Sequence, residues 1–442
     1  MKTILTFCLH LVFFSLSAQT YTSWITGDTA DVSPAGYQPG LVLAGGGGDN
    51  DEAMTWMLER ADGGDVVVIR ASGSDGYNSY FFSQLGVTVN SVETIRFDDA
   101  AAAEEPYVQQ RIQEAEVLFI AGGDQYDYYE YWKDNAIEEA IQYLLTDKQI
   151  TVGGTSAGMA ILGNAYYTPS SLGVLSSEAL NNPFHSYINE LGWNDFLDAP
   201  FMDHTITDTH FDQRERAGRT MTFLARLTHD HGFRAKAITA NEYTAVCIDE
   251  NGLARAFGEY PQYEEDLVYF LQVNCQSPIE PEICQAGMPL HWVRDQEAVK
   301  ACVLTAKTLG SNTFNLMDWT PDTSANWENW WVENGILQKS MEADPADCAN
   351  WSATGEPMSE ENNIWAGPNP FSEHIHIKPG KSAISWTLHT INGVLIKMGS
   401  IPQTDNFSIS TTEIPAGLYI LTVRKNENAL WHQRLLKLKT KN

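Results

Sequence analysis

Gly154-Thr155-Ser156-Ala157-Gly158 is the sharpest chemical signal in the chain. It follows a short apolar run, Ile150-Thr151-Val152-Gly153, and precedes a helical one, Met159-Ala160-Ile161-Leu162. A Gly-x-Ser-x-Gly turn between strand and helix lifts a serine hydroxyl clear of the backbone, where it can act as a nucleophile. The amide of Ala157 then points at a developing oxyanion. A glycine-rich turn with an ordinary serine has the same spelling, so a base has to be found. Among eleven histidines, His210 stands out, in Thr207-Asp208-Thr209-His210-Phe211-Asp212-Gln213-Arg214-Glu215-Arg216-Ala217-Gly218-Arg219. It lies just ahead of a helix, because Phe211, Arg214, Gly218 and Met221 recur at helical spacing. Arg216 and Arg219 are i,i+3 neighbours and share a face. Two readings of these arginines stand open. They pair with the local acids Asp212 and Glu215, or they bind a substrate carboxylate, which the guanidinium fork fits well. His229-Asp230-His231 has the ligand types for a metal but no third ligand at a telling spacing, and no close cysteine pair marks zinc. No metal site is expected.

The elements that must position these residues are legible between Leu41 and Ala160. Leu41-Val42-Leu43-Ala44 runs into Gly45-Gly46-Gly47-Gly48, and a helical stretch follows over 51–60. Asp65-Val66-Val67-Val68-Ile69 and Val117-Leu118-Phe119-Ile120-Ala121 are further apolar runs, the second ending in Gly122-Gly123. Ile137 to Leu145 is helical, and Ile150-Thr151-Val152 is another short buried strand. Continuous apolar strands separated by helices predict an α/β fold, a mostly parallel sheet with helices on both faces. In such sheets the active site lies at the carboxyl ends of the strands, where all three glycine-bearing loops fall. The run at 45–48 lacks both the Gly-Lys-Ser/Thr ending of a phosphate loop and the dinucleotide spacing. It reads as a tight strand-to-helix turn.

The 442 residues carry 27 Lys/Arg and 57 Asp/Glu, a net charge of −30. A surface that acidic excludes general binding of nucleic-acid phosphates. With 43% hydrophobic residues and 13 Trp, the chain can bury a sizeable core. From Asn363 onward the balance changes to 9 Lys/Arg against 4 Asp/Glu, which marks a separate C-terminal module. There Ile384, Trp386 and Leu388 alternate with polar residues, and Asn392-Gly393 is a hairpin signal. A small all-β sandwich is predicted over 362–442, joined by a polar linker over 349–361. At the other end, Lys2, the apolar stretch Ile4 to Leu16 and Ser15-Leu16-Ser17-Ala18 read as an export signal over 1–18. The catalytic domain then covers 19–348. Cys8 lies in the signal, and five cysteines remain. Cys275–Cys284 and Cys302–Cys348 are the natural disulfide guesses in an oxidising destination, with Cys247 a buried thiol.

Taken together, Ala121-Gly122-Gly123-Asp124-Gln125, Gly154-Thr155-Ser156-Ala157-Gly158 and Asp208-x-His210-Phe211-x-x-Arg214-x-Arg216-x-x-Arg219 resemble the cyanophycinases. More broadly they resemble the serine peptidases that include aspartyl dipeptidase E. The resemblance covers roughly 41–257 and implies a fold like that of class I glutamine amidotransferases, with serine as nucleophile and no cofactor. It implies Ser156 as nucleophile, His210 as base and Glu242 as the third triad member. It implies that Gln125, Asp208, Arg214, Arg216 and Arg219 line the substrate pocket, and that the amides of Gly123 and Ala157 form the oxyanion hole. Asn241 stands where that family carries an acid, Thr209 where cyanophycinases carry Gln, and Ser156 and His210 are 54 positions apart. Pro368-Asn369-Pro370-Phe371, Ile391-Asn392-Gly393 and Ile414-Pro415-Ala416-Gly417-Leu418-Tyr419 resemble the type IX secretion C-terminal sorting domain. The reading is a secreted or surface-held, periplasm-transiting serine peptidase for aspartyl or β-aspartyl bonds. The partners it implies are a peptide substrate and the type IX secretion machinery, with a homodimer left open and no nucleic acid. An exopeptidase of short aspartyl peptides, and a catalytically silent binding or adhesive protein on the same fold, are the alternatives.

Overall fold

The computed structural model describes residues 19–321, 325–341, 343–346, 348, 365–367, 374–378, 385–390, 394–401, 407–425 and 428–437. The expected export signal and linker, Pro368-Asn369-Pro370-Phe371 and Ile391-Asn392-Gly393 lie outside these residues. The first half of the chain supplies β1 (Tyr21–Gly27), β2 (Gly40–Ala44), β3 (Asp65–Arg70), β4 (Ser91–Phe97), β5 (Val117–Ile120) and β6 (Thr151–Thr155). They are followed by β7 (Ala165–Tyr167), β8 (Leu191–Trp193), β9 (Thr205–Asp208), β10 (Lys236–Ala240), β11 (Ala245–Asp249) and β12 (Leu253–Phe257). Then come β13 (Leu267–Val273), β14 (Val299–Thr305), β15 (Asn312–Asn315), β16 (Thr320–Pro321), β17 (Asn326–Glu333) and β18 (Ile336–Met341).

Two sheets result. The first runs β1-β4-β3-β5-β6-β2-β11-β12-β15-β16. Its heart, β4-β3-β5-β6-β2, is parallel throughout, as the apolar runs predict. Alternate residues serve opposite faces. Leu41, Val67, Leu118 and Ile120 enter one core, while Val42, Val66, Val117 and Phe119 enter another under the helix Asp51–Glu59. Helices Pro106–Glu114, Gln125–Trp132 and Ala136–Tyr143 send Ile112, Trp132 and Ile141 into the first of these cores. Helices therefore cover both faces of this parallel portion.

The second sheet, β18-β17-β14-β13-β10-β9-β7-β8, has no separate place in the sequence reading. Only β7-β9 and β9-β10 are parallel within it, and β10-β13-β14-β17-β18 run antiparallel. Ile238, Phe270 and Leu304 on one face share a core with Leu41 and Ile120 of the first sheet. Ala237, Leu271 and Val303 on the other face pack with Leu224 and Leu227 of the helix Ala217–His231. Part of the first sheet is thus covered by a second sheet rather than by helices.

Further on, β19 (Trp365–Gly367), β20 (His374–Lys378) and β23 (Phe407–Ser410) form one antiparallel sheet. The strands β21 (Ser385–Thr390), β22 (Leu395–Ser400), β24 (Gly417–Lys425) and β25 (Asn428–Lys437) form another. Trp386 and Leu388 are both buried, as their alternation predicts, in a core with Ile375, Ile377, Leu421 and Leu435 that shares no residue with the others.

The cysteine pairing differs from expectation. Cys275 bonds to Cys348, with Cα atoms 5.1 Å apart. Cys302 is fully buried inside β14, in the core between the two sheets, and Cys284 is buried in the core on the other side. Neither faces a partner, and both are free thiols together with the buried Cys247. Cys275, just past the end of β13, is placed where a later segment can reach it. The bond closes a loop with a separation of 73 residues. Cys275→Ser is expected to cost about 2–4 kcal/mol of stability, read as a lower chemical-denaturation midpoint under non-reducing conditions. A midpoint unchanged from the parent protein would contradict the pairing.

Candidate active site

Five loops meet at the carboxyl ends of parallel strands from both sheets. They follow β2 (Gly45 to Gly48), β5 (Gly122-Gly123), β6 (Ser156), β9 (Thr209-His210) and β10 (Asn241-Glu242). Ser156 turns sharply between β6 and a short helix, with φ 52° and ψ −112°. A non-glycine residue at positive φ is strained by roughly 1–3 kcal/mol and persists only where its surroundings hold it. The holding contacts are Ser156 N–H to Ala44 O at 3.0 Å and Ala160 N–H to Ser156 O at 3.0 Å. The flanking glycines are a matter of space. A Cβ on Gly154 would lie 2.5 Å from the carbonyl carbon of Gly158, and one on Gly158 would lie 2.1 Å from Ile120 O.

Ser156 Oγ is 2.7 Å from His210 Nε2, and His210 Nδ1 is 2.6 Å from Glu242 Oε1. A carboxylate can only accept, so Nδ1 carries the proton and Nε2 is left to accept from the serine hydroxyl. The His210 side chain is 7% exposed. Burial pushes its pKa below the usual histidine value, and the charges of Arg214 and Arg216 push the same way. The bond to Glu242 opposes them without reversing the direction. His210 is therefore neutral, and able to accept a proton, at neutral pH.

The glycine run at 45–48 acquires a reason here. A Cβ on Gly46 would stand 2.5 Å from the His210 ring and 3.0 Å from Ser156 Cβ, and one on Gly47 would stand 2.7 Å from Glu242 Cβ. Both residues have positive φ, 93° and 77°. All three members of the relay lean on this bare stretch of backbone. Neighbouring Gly122 is close as well, 3.5 Å from Ser156 Cβ when given a Cβ of its own, while Gly123 backs onto the Tyr128 hydroxyl. Ala157 begins the helix after Ser156.

The arginines find a partner other than the two considered from the sequence. Asp208, 3% exposed at the end of β9, accepts five hydrogen bonds. Two come from Arg219 (Nε to Oδ2 2.9 Å, Nη2 to Oδ1 2.5 Å), one from Arg216 Nη1 at 3.3 Å, and the others from Thr220 Oγ1 and the Thr209 N–H. Burial raises the Asp208 pKa, but the two guanidiniums more than offset it and hold the carboxyl below its usual range. Arg216 gives Thr209 its other bonds, also from Nη1, to the carbonyl at 2.8 Å and the hydroxyl at 3.0 Å. Its pKa falls to about 10 through burial, with Arg219 and Arg214 adding to the effect against Asp208, so it stays charged at neutral pH. Arg214 is exposed. Tyr167 joins Gln125 to this group: its carbonyl accepts from Gln125 Nε2 at 3.4 Å, and its ring lies 5.5 Å from the Arg219 guanidinium. Sequence reasoning missed Gly46, Gly47 and Asn241. The first two are visible only as a glycine run, and the third only as a departure from a motif. Among the described residues, no group of three or more His, Cys, Asp or Glu could hold a metal ion.

Residues 74–255 match peptidase family S51. The chain carries an S51 peptidase domain. Residues 366–437 match the secretion system C-terminal sorting domain, which directs export by the type IX route and association with the cell surface or outer membrane. Within the S51 match lie Ser156, His210, Glu242 and the arginines, while the glycine run precedes it. Similar proteins include the cyanophycinase of Synechococcus elongatus, 24% identical over 230 residues, with 50% of this chain and 66% of the relative covered. The cyanophycinase of Geminocystis herdmanii is 27% identical over 201 residues, with 43% and 68% covered. The chain thus spans just under two thirds of the Synechococcus relative. Among solved structures, a peptidase from an acI-B1 Actinobacterium has a TM-score of 0.40 at 13% identity, covering 63% of this chain and 98% of that one. A peptidase E protein from Listeria monocytogenes EGD-e has a TM-score of 0.33 at 12% identity, covering 50% and 98%.

Gly46→Ala is expected to cut kcat by at least tenfold. The added methyl has to displace the His210 ring from Ser156. A comparison of kcat with the melting temperature checks this. Wild-type kcat in a folded Gly46→Ala protein would contradict the close packing.

Proposed function

We propose that this chain is an exported serine peptidase that hydrolyses aspartyl or β-aspartyl peptide bonds. The observation that carries the reading is the Ser156–His210–Glu242 relay, at 2.7 and 2.6 Å, set beside a cationic cluster in a chain of charge −30. Ser156 Oγ attacks the carbonyl carbon after the aspartyl unit while His210 Nε2 takes its proton. The amides of Ala157 and Gly123 stabilise the oxyanion. Collapse of the tetrahedral intermediate breaks the C–N bond, and His210 returns the proton to the leaving amine. Water then attacks the Ser156 ester as His210 takes its proton, and when the second tetrahedral intermediate collapses His210 returns that proton to Ser156 Oγ, releasing the acid and the free serine. Glu242 holds the tautomer throughout and stabilises the imidazolium.

The substrate carboxylate is assigned to Arg216 and Arg214. All three hydrogen bonds of Arg216 leave from Nη1, which leaves the other edge of its fork for a ligand. Arg219 gives both Nε and Nη2 to Asp208 and acts as the brace. Thr209 spends its hydroxyl on Arg216, so the reading stays with aspartyl substrates as a class.

Two measurements test this. Ser156→Ala should lower kcat on an aspartyl or isoaspartyl peptide by several orders of magnitude while leaving the melting temperature near that of the parent. A variant that keeps most of its kcat would remove Ser156 from the mechanism. The pH profile follows from the direction of the His210 shift. The acid limb of kcat/KM should lie below the ordinary histidine value of about 6.5. In Glu242→Gln, the bond that raises the His210 pKa is weakened, so the limb should move to still lower pH as kcat drops. A limb that moves upward in that variant would contradict the assignment.

A further inference from the structure

Asn241 is fully buried on the loop that carries Glu242, where it faces the loop that carries His210. Its side chain has three partners. Oδ1 accepts from the Asp212 backbone N–H at 3.1 Å. Nδ2 donates to Asp212 Oδ2 at 2.9 Å and to Glu265 O at 2.7 Å. The orientation of the amide is fixed, because an N–H needs an acceptor while a carbonyl and a carboxylate need donors. Asp212 Oδ2 is anchored from the far side by the Tyr269 hydroxyl at 2.6 Å. The next residue along each loop repeats the tie, with Glu242 N–H donating to Gln213 Oε1 at 3.0 Å. The backbone before it does the same, with Phe211 N–H donating to Ala240 O at 3.3 Å.

We propose that Asn241 is a positioning residue for the reaction. Through its reciprocal pair with Asp212 it fixes the Glu242 loop against the His210 loop and so sets the Glu242–His210 bond. The proposal rests on the triad reading above. Asn241 touches neither the serine nor the imidazole and acts through Glu242. Only an amide serves at this position. A carboxylate would face the Asp212 carboxylate and the Glu265 carbonyl with no proton to give either, and a buried carboxylate facing two acceptors pushes the loops apart.

The test is Asn241→Asp, alone and combined with Asp212→Asn, which exchanges amide and carboxylate and restores a donor between the two side chains. Three readouts are compared: kcat and KM on an aspartyl peptide, the melting temperature, and the low-field proton resonance of His210 Nδ1–H, which reports the bond to Glu242 without any substrate. Asn241→Asp is expected to lower kcat roughly 10- to 100-fold, the range of coupling seen between contacting groups, with KM changed by less than about threefold, and to lose the resonance. The exchange pair is expected to regain the resonance and most of kcat. If Asn241→Asp does not fold, the exchange pair decides by the same two signals. Retention of the resonance in Asn241→Asp overturns the proposal, as does an exchange pair that folds without regaining it. A lower melting temperature with wild-type kcat, or failure of both variants to fold, assigns Asn241 to folding alone and also overturns it. These outcomes are separate from the triad reading, which stands or falls on Ser156→Ala.

Discussion

His210 donates its backbone N–H to Gly45 O at 2.8 Å, Gly45 donates to Thr244 O at 2.9 Å, and Tyr243 donates to Gly46 O at 2.9 Å. These bonds tie a loop from the first sheet to two loops from the second. Stacked sheets lie about 10 Å apart, the thickness of two layers of side chains. Groups from opposite sheets can meet at hydrogen-bond distance only where one backbone crosses the gap without side chains of its own. The glycine run does this. Ser156 comes from β6, His210 follows β9 and Glu242 follows β10, and each rests on a glycine whose Cβ would crowd it. The positive φ at Ser156 and at His210, 52° and 46°, is held by their backbone N–H bonds to Ala44 O and Gly45 O.

The electrostatics depend on the same convergence. Asp208 ends β9, and the arginines lie on the turn and helix that follow His210, so one short segment carries the imidazole and the cations together. The cations have two effects. They fix the Asp208 carboxylate in its charged form, and Arg214 and Arg216 help burial keep His210 unprotonated. Glu242 pulls the other way. A base in this position needs both influences, since a carboxylate alone beside a buried imidazole would favour the imidazolium and leave no acceptor for the serine proton. The proposed role of Arg216 in holding a substrate carboxylate adds to this arrangement without altering it.

Much of this was legible in the sequence, and the parts that were not share a cause. The apolar runs at Val66 to Ile69 and Val117 to Ile120 identify parallel strands because burial on both faces requires continuous hydrophobicity. The serine turn and His210 are legible because local backbone geometry dictates their neighbours. Asp212 and Glu215 are the acids closest to Arg216 and Arg219 in sequence. The arginines' partner is Asp208, which precedes the turn and is brought back by the chain reversal at His210. Cys275 similarly pairs across 73 positions rather than with Cys284. The second sheet escaped because a long segment separates β13 from β14 and two strands of the first sheet lie between β14 and β17, and antiparallel pairing across such gaps leaves no periodic signature. Gly46 and Gly47 show their composition but not their purpose, since what they make room for arrives from positions 210 and 242. Local rules read local structure, and contacts that close long loops need the fold.

The matched S51 segment begins at residue 74, yet the strand that leads into the glycine run lies before it. That strand, β2, is not peripheral. It pairs with β6 on one side and β11 on the other, so it joins the parallel heart of the first sheet to its antiparallel extension. It also delivers Gly45, Gly46 and Gly47 to all three members of the relay. The second sheet is equally tied in, since β10 pairs with β13, β13 with β14 and β14 with β17. The chemistry therefore belongs to the strands from Tyr21 to Met341 as a unit. The core formed by Ile375, Trp386, Leu421 and Leu435 shares no residue with that unit, and its segment carries the opposite charge balance. The sorting strands and the proposed hydrolytic site are carried by separate cores, which leaves the constraints on the relay independent of those on the sorting strands.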